Sequence, residues 1–331
     1  MGRRRGTGSA AGVLLGGALT AGPGWQWVFY VNVPVGLALL AAVPALVPAR
    51  APRPARLDVP GALLVTAGTG SLIYGLVTAG DTGWTAPATL LPLAGSALLY
   101  ALFAAVERTA HAPLMDLRMF TRRPVLAGAF LMLIATALLI AFFFLGSVYL
   151  QHARGLGPLR TGLVFLPVAV AVGAGAHLGS RLVTGIGSRT TAVAGMAVAA
   201  AGLVPLTRLT AGSSVYAAFL PGLVVASFGI GAVFVTATTT ALAMVEHHEA
   251  GLASGVVNTF HEVGGSIGVA VVSTVAAAGI GVGAASSGPA PTDAFTDAFT
   301  VCALAAAASA AVAQALVPRG RPRSAGGPHV H

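Results

Sequence analysis

The stretch VLAGAFLMLIATALLIAFFFLGSVYL, residues 125–150, runs without a single charged side chain. The hydrocarbon core of a bilayer is about 30 Å thick and takes about 20 helical residues to cross. Backbone N–H and C=O groups find no water there, so an unbroken apolar run of this length pairs them internally as a helix. The other spanning form, a β-barrel, needs alternating strands of about 10 residues, and this run does not alternate. The rest of the chain agrees. Of 331 residues, 56% are hydrophobic and 8% are charged, with a mean hydropathy of +0.86. A soluble domain carries about 25% charged residues. So few charges cannot keep the surface in water, and the class is an all-α integral membrane protein.

Working outward with the same window gives ten spans, at 7–22, 27–47, 57–79, 86–106, 124–150, 161–183, 190–209, 214–240, 251–277 and 295–317. Short links rich in Pro, Gly and Arg separate them, such as PARAPRPAR (48–56) and DTGWTAP (81–87). All 18 basic residues are arginine, and nine acids leave a net charge of +9. In a soluble chain that excess would suggest nucleic acid. Here the arginines cluster at the ends of apolar runs with too few aromatic neighbours for a nucleic-acid surface, so no such partner is expected. Ten spans put both termini on one side. With that side cytoplasmic, only Arg154, Arg160 and Arg208 fall outside and the other fifteen arginines fall inside, as the positive-inside bias requires. The expected location is therefore a bacterial inner membrane, with the bilayer as partner. A competing reading takes MGRRR and the first short run as a cleaved signal peptide. Against it stand the glycine-rich rather than leucine-rich run and the absence of a clear cleavage site before GPGWQW.

Several patterns carry chemistry. GSAAGVLLGG (8–17) places Gly8, Gly12 and Gly16 on one helix face, with Gly17 beside them. Such a face lets a second helix approach closely, where dispersion replaces the hydrophobic drive that lipid does not provide. In GLASGVVNTFHEVGGSIGVAV (251–271), a step of about 100° per residue puts Gly251, Ser254, Asn258, His261 and Gly265 on one face. Val256, Phe260, Val263 and Ile267 fall on the opposite face, which is expected to meet lipid. Glu262 sits at the border. A charged side chain at the bilayer centre costs about 2.5–3.5 kcal/mol on insertion scales, so Glu262 should meet protein or water, be paired, or be protonated. His261 is not expected to be its simple partner, because adjacent helical positions do not face each other. Asn258, His261 and Glu262 are candidates for a cavity or a proton-linked role, with an interhelical hydrogen bond as the plainer alternative.

Other features read more plainly. Phe142, Phe143, Phe144 and Tyr149 crowd one end of the 124–150 span and read as packing plus an interfacial aromatic. His177 reads as an interfacial histidine. Glu246, His247, His248 and Glu249 read as a solvated loop rather than a metal site, and Cys302 as a small apolar residue, so no metal and no cofactor is expected. No phosphate loop and no H-E-x-x-H is present, and the glycine-rich pieces lie inside spans rather than after strands, so no enzymatic activity is expected.

GSAAGVLLGG and the ALTAGPGWQWVFYVNVPVGL that follows it together resemble the major facilitator superfamily. The first is similar to its antiporter signature on the fifth helix. The second, through Trp25, Trp27, Phe29, Asn32, Pro34 and Gly36, is similar to an element of the fourteen-helix drug:proton antiporter branch. Residues 56–84, 113–130, 149–167 and 251–271 resemble later parts of the same branch. The resemblance implies residues 1–47 as the last two helices of an N-terminal half. Residues 48–123 become two extra central helices with their linkers, 124–318 a complete C-terminal six-helix half, and 319–331 a cytoplasmic tail. Helices one to four have no counterpart, so an N-terminal half is an expected missing partner. The implied activity is efflux of small amphipathic molecules, antibiotics among them, against protons. The alternative is a non-transporting, degenerate or regulatory membrane fragment.

The resemblance also assigns roles to residues. Through it alone, Phe143 and Tyr149 are candidate cavity aromatics. The glycine face becomes a contact between the two halves, although Val13 stands where the family has proline, so no kink is expected there. GSRLVTGIGSR (179–189) resembles a cytoplasmic gating loop through Gly179, Arg181, Gly187 and Arg189. Thr184 and Gly185 replace its usual acidic and basic residues, so no charge latch is expected within it.

Overall fold

The computed structural model describes residues 6–46, 58–109, 121–210, 212–243, 250–280 and 292–319. Its helices are α1 (Gly6–Ala21), α2 (Trp27–Tyr30), α3 (Asn32–Leu46), α4 (Val59–Thr82), α5 (Pro87–Thr109), α6 (Arg123–Val148), α7 (Pro158–Ile186), α8 (Ser188–Leu203), α9 (Leu220–Leu242), α10 (Ala250–Ile280) and α11 (Thr292–Leu316). A π-helical turn, Tyr149–Ala153, extends α6; a 3₁₀ turn, Val204–Arg208, extends α8; a second π turn, Val215–Phe219, leads into α9. No strand occurs among the described residues. Each predicted span is helical, with α2 and α3 sharing one. Among the described residues, eight helical stretches are long and apolar enough to cross a membrane. The other two spans are α1, with 16 residues, and α10, which has 31 residues and carries Asn258, His261 and Glu262.

Local chemistry sets the boundaries. Proline stands in the first turn of α4, α6, α7 and α9, where its missing N–H breaks no helical hydrogen bond. Asp58 caps α4 by accepting from the Gly61 N–H at 3.0 Å. Gly187, at φ +89, turns the chain directly from α7 into α8, a conformation costly for any residue with a Cβ.

Helices α6 to α11 share one core, with Phe142, Tyr149, Phe219, Phe295 and Phe299 fully buried. Tyr149 stacks on Phe219 at 5.0 Å and meets Phe295 edge-on at 5.5 Å. Elsewhere small residues bring backbones together. Gly264 and Gly268, one turn apart on α10, lie on the backbone of α6 at Leu133 and Ala137. A Cβ at either position would strike a carbonyl oxygen, so this small-xxx-small pair fixes how α10 sits.

Helices α4 and α5 form a hairpin tied by hydroxyl groups. Ser96 Oγ donates to the Gly68 carbonyl and Ser71 Oγ to that of Pro92, both at 2.8 Å. Thr69 and Tyr100 hydroxyls meet at 2.8 Å. The hairpin lies against α10, where Thr274 Oγ1 donates to the Ala79 carbonyl at 3.4 Å. At the other end Phe103 of α5, Val125 of α6 and Ala253 and Val256 of α10 form a separate apolar cluster. Helix α1 packs against α7.

Candidate functional site

The packing of α10 decides which of its faces is free. Gly264 and Gly268 hold it to α6, and the α4–α5 hairpin covers the side carrying Val256 and Val263, which are 8% and 9% exposed. The expectation that Val256 and Val263 meet lipid is therefore overturned. Periodicity shows which residues share a face and not which face a neighbour covers, and the neighbour here is the hairpin with α6. Phe260 packs against the same cluster, and Ile267 is half-buried.

The face of α10 with Ser254, Asn258 and His261 remains open. With Val257 it forms one wall of a cleft of about 160 Å³, completed by Met132 of α6 and Thr238 and Leu242 of α9. Two walls of different character result. Met132, Leu242 and Val257 offer hydrocarbon and thioether surface, while Thr238, Ser254, Asn258 and His261 offer hydrogen-bonding groups. Ligand sites combine apolar lining with a few placed polar groups in this way. A larger groove of about 400 Å³ between α7 and α9, around Pro167, Val170 and Phe228, has only apolar side chains and nothing to orient a ligand.

His261 and Glu262 are brought together, contrary to expectation. His261 Nδ1 lies 3.4 Å from Glu262 Oε1, with both side chains substantially exposed, at 42% and 63%. Adjacent Cβ atoms point apart, but the long glutamate side chain swings sideways to reach the ring. Phe234 of α9 lies 6.0 Å from the imidazole, ring centre to ring centre. Glu262 does not line the cleft; it touches the histidine that does.

The remaining candidates separate. Tyr149 is packed inside the α6–α11 core at 1% exposure and does not reach the cleft. Its hydroxyl is buried with no hydrogen-bond partner among the described residues. Phe143 is half-buried and stacks on Phe165 of α7 at 4.7 Å, so it too lies away from the cleft. The glycine face of α1 is only partly used. No described residue lies within 4 Å of a Cβ built on Gly12 or Gly16, whereas one on Gly17 would meet the Pro158 carbonyl of α7 at 3.2 Å. Gly8 falls in the first turn of α1.

The gating-loop reading of 179–189 is corrected in form. Gly179 and Arg181 lie within α7, Gly187 is the turn, and Arg189 lies in the first turn of α8. Arg189 Nε donates to the Val317 carbonyl at 2.6 Å. It thereby supplies a cation to the C-terminal end of α11, where the helix dipole favours one. His177 is exposed on α7. The acid and histidine loop at 246–249 lies outside the described residues; among the described ones no group of three or more His, Cys, Asp or Glu is placed to hold a metal.

Sequence reasoning missed the α6 and α9 walls. A signal was present in TATTT (236–240), a polar run inside an apolar span, whose middle residue Thr238 faces the cleft.

Among the described residues, ten helical spans with a small cleft among three of them define a polytopic helical membrane protein. Residues 5–269 match the Major Facilitator Superfamily, and the chain belongs to that family. It is 36% identical over 292 residues to the puromycin resistance protein pur8 of Streptomyces alboniger, covering 86% of this chain and 58% of that protein. It is 35% identical over 278 residues to the tetracenomycin C resistance and export protein of Streptomyces glaucescens, covering 83% and 52%. With the lincomycin resistance protein of Streptomyces lincolnensis it shares 34% identity over 269 residues, covering 80% and 55%. The chain thus spans about half the length of these curated relatives.

Proposed function

We propose that the chain is a drug-exporting transporter of the proton-antiport type, or the larger part of one, acting on small amphipathic molecules. The observation that carries this reading is the cleft between α6, α9 and α10, with apolar and hydrogen-bonding walls and the His261–Glu262 pair at its rim. The names of its relatives, which refer to resistance to and export of puromycin, tetracenomycin C and lincomycin, support antibiotics as the substrate class. No catalytic role is proposed.

In this reading α6–α11 form the C-terminal half, α4 and α5 the central pair, and α1–α3 the end of the N-terminal half. Alternating access rocks one half against the other, and the close approach of Gly17 to α7 is the contact between them. Glu262 lies well inside the longest helix, where a lasting charge is costly. Contact with His261, which lines the cleft, makes this pair the candidate for the proton-linked step. Both termini lie in the cytoplasm, with the arginine-poor links 153–158 and 208–215 outside.

The test is accumulation of a fluorescent dye such as Hoechst 33342 in bacteria expressing the 331-residue chain. Lower accumulation that a protonophore abolishes supports the reading. Accumulation equal to that of empty-vector cells, with the chain present in the membrane, favours a non-transporting fragment.

A further inference from the structure

The chemistry of the cleft narrows what it accepts. This step rests on the transport reading above and deepens it. Among the described residues lining the cleft none carries a permanent charge. Ser254 and Asn258 stand one helical turn apart, about 6 Å along α10. Both are exposed. Thr238 Oγ1 already donates to the Phe234 carbonyl at 3.1 Å, so what it has left to offer a ligand is acceptor capacity. His261 turns Nδ1 toward Glu262 at 3.4 Å, which leaves its second ring nitrogen for a ligand.

Asn258 presents two N–H donors and a carbonyl acceptor side by side on one side chain, and Ser254 adds a single hydroxyl that donates and accepts from one atom. An amide side chain pairs best with another group that presents a donor and an acceptor side by side. The carboxylate that would hold an organic cation, Glu262, lies outside the cleft with its nearest oxygen on the histidine. Opposite the polar groups, Met132 supplies a flexible, polarisable surface suited to aromatic or chlorinated bodies of varied shape.

We propose that the cleft selects neutral amphipathic molecules with an amide-like or hydroxyl-bearing edge. Asn258 reads that edge and Ser254 extends the contact, rather than an acid capturing an organic cation. A compound with an amide, two hydroxyls and an apolar ring fits this description, whereas a permanent aromatic cation does not.

The test is equilibrium dialysis of the purified full chain in lipid nanodiscs with two probes. Chloramphenicol is neutral and carries an amide and two hydroxyls; ethidium is a permanent aromatic cation. The expected result is saturable binding of chloramphenicol, at least tenfold weaker in Asn258→Ala and a few-fold weaker in Ser254→Ala. Ethidium is expected to show no saturation over the same range. Both substitutions fall on exposed positions, and unchanged thermal unfolding confirms folding. Saturable ethidium binding as tight as that of chloramphenicol overturns the inference and leaves the cleft as a transport site of another selectivity. Chloramphenicol binding within twofold of the parent in Asn258→Ala also overturns it. Saturable binding of neither probe overturns both the inference and the reading of this cleft as the substrate site.

Discussion

Replacing Gly264 by alanine tests the contact that orients the whole site. A Cβ at Gly264 would meet the carbonyl of Leu133, a backbone atom of α6 that cannot rotate away. The two helices must part, and overpacking of this kind costs about 1–3 kcal/mol. Alanine also raises helix propensity by up to about 1 kcal/mol over glycine, which would mask part of the loss. Gly255 on the same helix supplies the control, because no described residue lies within 4 Å of a Cβ built there. Comparing Gly264→Ala with Gly255→Ala cancels the propensity gain and leaves about 1–3 kcal/mol for the clash. At about 2–4 °C per kcal/mol for a body of 150–250 residues, the gap in Tm is of the order of 5 °C. The chain carries its own reporter. Cys302 is 3% exposed in the α11 core and is the single cysteine, so a thiol-reactive dye follows unfolding in detergent. Equal Tm values for the two variants, or a higher one for Gly264→Ala, would refute the close packing of α10 on α6.

Other substitutions probe separate contacts by the same unfolding assay. Arg189→Ala removes the 2.6 Å bond to the Val317 carbonyl and is expected to cost about 1.5–3 kcal/mol, the range for hydrogen bonds to charged groups. Arg189→Ala as stable as the parent would show that the latch between α8 and α11 contributes nothing. Tyr149→Phe deletes a buried hydroxyl that has no partner among the described residues. We expect it to be neutral or to stabilise by up to about 1 kcal/mol, since an unpaired buried polar group costs about 1–3 kcal/mol. A clear loss of stability or of dye efflux would return Tyr149 to the candidate site. In cells that export dye, Glu262→Gln is expected to abolish the dependence of export on the proton gradient. Export that still responds fully to a protonophore would remove Glu262 from the coupling step.

Much of this architecture is legible in the sequence, because apolar runs and punctuating prolines are local properties. The run at 125–150 and the prolines of α4, α6, α7 and α9 place helices within a few residues. Side chains are another matter. The stripe of Ser254, Asn258 and His261 was visible as a shared face, but the covering of Val256 and Val263 depends on where α5 returns in space. Tyr149 reads equally well as cavity wall or core until Phe219 and Phe295 are placed around it. Arg189 carries no signal in sequence for its bond to Val317, since the two are joined only by the fold. The His261–Glu262 contact escaped a rule about helix faces because that rule describes Cβ directions and not the reach of glutamate.

The central claim is that α10 turns Asn258 toward an open cleft and Val263 toward protein. Single cysteines at these positions, in a Cys302→Ala background in intact membranes, report it directly through the rate of reaction with a charged maleimide. The account predicts rapid labelling of Asn258→Cys, slowed by a bound substrate, and negligible labelling of Val263→Cys. Rapid labelling of Val263→Cys with an inert Asn258→Cys would contradict it.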